Sequence, residues 1–300
     1  MNQLKPSLPF IVYLKYGRVI FPVSVLLTII LFNLSPQFLS PTIQLVILGI
    51  VIFLLGLPHG ALDPWIAQRL GIYDSTKQKL LFTIGYLALT ALVVLFWLWL
   101  PALSLFVFLT ISAWHFSGDW NTSINRPLRL CAGILLLLMP IGFHTETVSM
   151  IFQALSGTNG AHLATTLSLP PWFLAVAMTL IAAIAAIKRQ WQTSLDFLSL
   201  LGLAYFTPPL IYFTLYFCLL HSPRHLFGIF ISATIAEHMS LLRMMITYTL
   251  LSLVFIVGLW WLWSALPSST LILKLIFISL AAVTVPHMLL IYAAQIKKIN

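Results

Sequence analysis

Charge is what this sequence most lacks. Of 300 residues, 7% are Asp, Glu, Lys or Arg, and six are acidic. A soluble domain carries about 25% charged residues, so the water-soluble globular class is excluded. Cysteine is scarce as well. Cys131 and Cys218 fall in apolar runs and read as buried packing residues, which leaves no disulfide framework. No Gly-rich phosphate loop, CxxC pair or Ser-His-Asp order occurs, so nucleotide-binding and hydrolase readings have no footing. Repeats and low-complexity tracts are missing too. The opening stretch MNQLKPSLPFIVYLKYGR has a short apolar run broken by Lys15 and no small-residue cleavage site. It is read as a cytoplasmic tail, about residues 1–16, with an interfacial stretch rather than a cleaved signal.

Apolar residues are what the chain has in excess. They make up 61% of it, the mean hydropathy is +1.04, and runs of about 20 residues, each long enough to cross a bilayer, recur throughout. The expected fold is all-α: a polytopic integral membrane helical bundle forming a single transmembrane domain over residues 1–300. Ten spans are expected, at roughly 17–35, 41–62, 80–100, 102–118, 127–145, 170–187, 193–206, 208–231, 242–264 and 270–293. Prolines at 41, 101, 127, 170 and 209 stand near span starts, where a missing N–H costs little.

The +9 net charge could suggest nucleic acid, but the charges lie in short loops between apolar runs. With the N-terminus in the cytoplasm, Lys5, Lys15, Arg18, Arg69, Lys77, Lys79, Arg126, Arg129, Lys188, Arg189, Arg243, Lys297 and Lys298 all fall inside, 13 of the 15 basic residues. That is the positive-inside pattern of a cell-membrane protein with both termini cytoplasmic. The loop near 146–169, without Lys or Arg, is expected outside.

Five of the eight histidines fall within expected spans: His59, His115, His221, His225 and His287. In the ten-span topology their four helices run in the same direction. At about 1.5 Å per residue the imidazoles lie roughly 18–27 Å from the outer ends, in one layer. GLPHGALD sets Asp63 four residues after His59, WHFSGD sets Asp119 four after His115, and HSPRH sets His225 four after His221. Positions i and i+4 share a helix face, so the HSPRH pair can reach one metal. Pro58, Pro223 and Pro286 each remove a helical hydrogen bond beside a histidine. A lone intramembrane histidine is as readily a helix–helix hydrogen-bonding group. Five at one depth, two with aspartates, favour a shared metal site, for which neutral imidazole suits Fe, Zn, Cu or Ni.

Asp63 and Asp119 are read as ligands, as acceptors fixing an imidazole tautomer, or as solvated caps. Arg224 either pairs with one of them or snorkels to the surface. His144, His162, His238, Glu146 and Glu237 read as surface residues, and Asp196 as a cap opening the seventh span. Phe53, Trp65, Trp114, Phe116, Phe217, Phe227 and Met288 adjoin the histidines, suiting a substrate dissolved in the bilayer.

PHGALD at 58–63, WHF at 114–116 with Asp119 downstream, HSPRH at 221–225 and VPHM at 285–288 together resemble the Brp/Blh family of microbial membrane proteins. That family is the β-carotene 15,15′-dioxygenase group associated with retinal supply to microbial rhodopsins. Ser117 intervenes before Gly118, where the family pattern runs Gly directly after His-Phe. The resemblance implies an Fe(II) enzyme splitting the central double bond of β-carotene with O₂ into two retinals. His59, His115, His221 and His225 would be its catalytic iron ligands, with Asp63, Asp119, Arg224, His287, Trp114 and Phe116 supporting them or touching substrate. Its partners would be β-carotene, O₂, the lipid bilayer and a microbial rhodopsin receiving retinal, with no nucleic acid. The alternatives are a membrane metal or proton transporter, which intramembrane His and Asp also suit, and a membrane di-iron desaturase or hydroxylase, whose HxxHH boxes this chain lacks.

Overall fold

The computed structural model describes residues 8–34, 41–120 and 123–299, all helices, turns and connecting segments with no strand among them. The helices are α1 (Leu8–Leu34), α2 (Pro41–Val51), α3 (Asp63–Arg69), α4 (Thr76–Trp99), α5 (Pro101–Ser117), α6 (Arg126–Phe143) and α7 (Thr145–Ser156). Then come α8 (Thr158–Leu167), α9 (Pro171–Ile187), α10 (Trp191–Phe206), α11 (Pro209–Leu215), α12 (Ser222–Ser232), α13 (Ile235–Leu262) and α14 (Ser268–Ile299). Of the expected N-terminal tail, residues 1–7 lie outside the described residues, and α1 already begins at Leu8.

Among the described residues six helices are long and apolar enough to cross a membrane: Thr42–Arg69, Thr76–Trp99, Pro101–Trp120, Arg126–Phe143, Ile235–Leu262 and Ser268–Ala294. A seventh is possible if α8 and α9, bent by 59° at their junction, count as one. The expected count of ten is therefore not supported, and the reason is local. The expected span at 208–231 is helical from Pro209 on but broken into α11, a π-helical turn and α12. Helix α10 stops after 16 residues, where Thr207-Pro208-Pro209 ends it. The expected outer loop is two helices, α7 and α8, with Gly157 at φ +73° between them, a conformation that favours glycine.

The chain divides into two units, and it passes between them several times. The first comprises residues 1–40, 112–148 and 164–238. At its centre α10 packs against α9, α1 and α6, burying Phe197, Leu200, Leu203 and Ala204. Helix α6 enters with Pro127 in its first turn and Asn125 accepting from the Leu128 N–H. It meets the end of α5 at Gly133, where a Cβ would stand 2.2 Å from the Ala113 carbonyl oxygen. Only glycine allows that approach.

The second unit comprises residues 41–111, 149–163 and 239–300. Helix α14 is its axis and packs against α4, α2 and α3. Half of its apolar window is buried, against 6% for α13, which places α14 inside and α13 at the periphery. Ser75 and Gln78 form a capping box that starts α4. Tyr73 donates to the Pro64 carbonyl and packs with Ala67 and Leu290, fixing the turn between α3 and α4. Burial, with Tyr248 nearby, holds its phenol above the ordinary range. Leucine, valine and tryptophan side chains such as Leu31, Leu95, Trp99, Val254 and Trp261 are left exposed. Such a surface is untenable in water and suited to lipid.

Candidate metal centre

In the first unit the chain presents three imidazoles from two segments. His115 lies on the last turn of α5, and a 3₁₀ turn, Gly118–Trp120, follows it directly. His221 closes a π-helical turn, Tyr216–His221, and His225 stands in the first turn of α12. The π turn precedes a proline. Pro223 has no N–H to serve the Leu219 carbonyl, and just before it the Ser222 N–H bonds to the Phe217 carbonyl, five residues back. The ring centroids of His115 and His221 are 4.7 Å apart, those of His221 and His225 4.8 Å, and those of His115 and His225 5.2 Å. One nitrogen from each lies within 4.8 Å of the others. That spacing is compatible with donors around a single ion.

Aromatic rings and a carboxylate fix His221. Phe217 stacks on it at 5.5 Å and Phe116 meets it edge-on at 4.8 Å. Asp119, buried at the side chain, faces its Nδ1 with both oxygens, at 3.0 and 3.2 Å. The Tyr216 hydroxyl donates to the same carboxylate at 2.7 Å. Arg224 donates from Nη1 to the Asp119 backbone carbonyl at 3.3 Å and from Nη2 to Asp196 at 2.5 Å.

The second unit carries a histidine pair. His59 sits in a 3₁₀ segment, Leu57–Leu62, again preceded by a π turn, Ile52–Gly56, just before a proline. The Leu57 N–H bonds to the Ile52 carbonyl, five residues back, and Pro58 follows. His287 follows Pro286 inside α14. Their ring centroids are 5.3 Å apart, edge to face. His287 Nδ1 meets Asp63 at 2.7 Å, and the Tyr86 hydroxyl donates to the other Asp63 oxygen at 2.9 Å. About one turn along α4 and α14 lies a cavity of roughly 350 Å³, walled by residues that include Leu92, Phe96, Trp97, Val107, Phe108 and Val285.

These contacts fix the tautomer of three imidazoles. His59 Nδ1 faces the Gly56 carbonyl at 2.5 Å, and a carbonyl only accepts. In the neutral ring the proton is therefore on Nδ1 and the lone pair on Nε2. The carboxylates of Asp119 and Asp63 impose the same tautomer on His221 and His287. Outward Nε2 with Nδ1–H on an oxygen is the usual arrangement of a metal-ligating histidine. The donor chemistry thus fits a metal.

Asp63 and Asp119 take the place of acceptors, and each bonds an imidazole distant in sequence, His287 and His221. They are not solvated caps. Arg224 pairs with Asp196 and also bonds the backbone carbonyl of Asp119. Asp196 is not a cap: it stands more than a turn into α10 at 1% exposure, and it also receives Trp120 Nε1 at 3.3 Å and Gln192 at 3.2 Å. Trp114 is exposed, whereas Phe116 packs on His221. His144 and His238 are half-buried and bond the carbonyls of Ala204 and Phe230, so only His162 keeps the exposed position expected of all three. Cys218 is buried as expected; Cys131 is exposed. Tyr86, Trp120, Asp196 and Tyr216 had no sequence signal beyond being polar groups in apolar runs.

The family model described as β-carotene 15,15′-dioxygenase matches residues 50–294. Among curated relatives, the β-carotene 15,15′-dioxygenase of uncultured marine bacterium 66A03 is 32% identical over 260 residues, 81% of this chain and 91% of that protein. The probable β-carotene 15,15′-dioxygenase Blh of Halobacterium salinarum is 26% identical over 215 residues, 62% of each chain. No solved structure matches. Matched over most of its length, and carrying its histidines where that match runs, the chain belongs to the β-carotene 15,15′-dioxygenase family.

Proposed function

We propose that this protein cleaves the central double bond of β-carotene with O₂ to give two molecules of all-trans-retinal. The observation that carries the reading is the cluster of His115, His221 and His225, three nitrogens within 4.8 Å, with the tautomer of His221 set by Asp119. These three would hold Fe(II), and His59, held in the matching tautomer, is the fourth ligand that the family resemblance assigns. Neutral imidazoles suit iron, and zinc, being redox-inert, cannot meet the needs of an oxygenase. When bound, iron supplies the activation of O₂ that the protein's own side chains cannot.

The chain's own contribution is orientation and dryness. Asp119 and Tyr216 hold His221, and Asp63 and Tyr86 hold His287. Phe116 and Phe217 close the sides of His221 and would limit the access of water to a metal held there. The cavity between α4, α5 and α14 is lined almost wholly by apolar side chains, as a hydrocarbon partitioned into the bilayer requires. Fixing a rigid polyene in such walls makes the cleaved bond a matter of position. The enzyme would sit in the cell membrane with both termini cytoplasmic, and a microbial rhodopsin is the natural recipient of the retinal.

Expression in β-carotene-producing cells tests the reading. Loss of orange colour with retinal on chromatography supports it. Unchanged pigment overturns it, a hydroxylated or desaturated C₄₀ product assigns the chain to the desaturase class, and vesicle metal flux without turnover assigns it to transport.

A further inference from the structure

We propose that Asp196, on α10, is a positioning residue for the histidine cluster, acting through Arg224 on Asp119. The inference rests on the metal-dependent reading above. Asp196 is one of six acidic residues in the chain, and its side chain is 1% exposed. A carboxylate so buried is costly unless it is paired and hydrogen-bonded. Here it is: Arg224 Nη2 lies at 2.5 Å, Trp120 Nε1 at 3.3 Å and Gln192 Nε2 at 3.2 Å. The guanidinium also lies over the Trp120 ring, 6.0 Å from its centroid. Asp196 and Trp120 together thus set the place of Arg224.

Arg224 has two tasks that depend on that place. Its Nη1 donates to the backbone carbonyl of Asp119, in the short 3₁₀ turn that follows α5. Its backbone is flanked by the proline of the HSPRH motif on one side and by His225 on the other. A swing of Arg224 therefore releases the turn that aims the Asp119 carboxylate at His221 and removes a restraint beside His225. Lysine could not substitute, because the link needs two donors in a planar fork, one for each aspartate. Among the described residues Asp196 is bonded by Arg224, Trp120 and Gln192, so its effect on the histidines is indirect.

The test uses the full-length protein in detergent, with Asp196→Asn and Arg224→Lys as separate variants. Asn keeps the size and one acceptor oxygen but drops the charge that holds the guanidinium. Both variants are expected to bind Fe(II), and Co(II) as an oxygen-insensitive probe, about tenfold more weakly than wild type, the lower end for residues supporting metal ligands. Turnover per bound iron is expected to fall while the KM for β-carotene stays put, and combining the variants should add little to either alone. A merely structural aspartate would lower the yield of folded protein and leave the metal affinity of the folded fraction unchanged; that result overturns the inference. Wild-type affinity and turnover in both variants overturn it too. If wild type itself binds no metal or forms no retinal, the functional reading falls first, and the two failures are distinct.

Discussion

Replacing Asp119 by Asn is the sharpest probe of the cluster. The carboxylate accepts from His221 Nδ1 at 3.0 Å and from the Tyr216 hydroxyl at 2.7 Å. Asn has the same shape, but one oxygen becomes an NH₂ group. Its remaining oxygen can still accept from one partner, and the Tyr216 hydroxyl can turn to accept from the amide, so packing survives. The negative charge that made His221 a strong donor does not. Loss of such a carboxylate behind a metal-bound imidazole typically weakens metal affinity about 10–100-fold, or about 1.4–2.8 kcal/mol. Asp119→Ala should do more: it strands a buried Nδ1–H and a buried hydroxyl, at about 1–3 kcal/mol each. Anaerobic titration with Co(II), read by its visible absorption, gives the affinity, and thermal unfolding in detergent gives the stability. Asp119→Asn binding metal as tightly as wild type would refute the role of the carboxylate charge behind His221 and with it the assignment of His221.

His221→Ala and His225→Ala should each abolish retinal formation while the protein still inserts in the membrane; full activity of either purified variant with added Fe(II) removes it from the ligand set. Gly133→Ala should destabilise by about 1–3 kcal/mol or more, because its Cβ meets the backbone oxygen of Ala113 at 2.2 Å, which cannot swing aside; an unchanged unfolding temperature contradicts that contact. Chelation should abolish activity, Fe(II) should restore it and Zn(II) should not; restoration by zinc argues against redox chemistry.

The helices were legible in the sequence because long apolar runs have no other structure available in lipid. The HSPRH pair was legible because both members lie on one short segment. The span count was not, because hydropathy registers apolar length and is blind to a π turn such as Tyr216–His221 or to the 59° bend before Pro171. The acceptor role of the aspartates was among the readings of the sequence, but which imidazole each one meets was not legible, for a related reason. Spacing of i and i+4 describes one helix, whereas Asp63 is bonded to a histidine 224 positions away and Asp119 to one 102 away. Asp196 gave no hint of its role, since a lone acid early in a helix looks like a cap.

The π turns before Pro58 and Pro223 have an evolutionary consequence. Each stores one surplus residue relative to α-helical winding. Deleting a single residue there would restore regular winding and leave the flanking segments in phase, but it would remove the widened turn that ends at His221 or leads into His59. The place of His221, or of His59, in its turn would then change although every motif letter remained. Lineages can thus alter residues throughout these membrane helices, yet an insertion or deletion of one residue at 52–56 or 216–221 should be purged wherever the activity is kept.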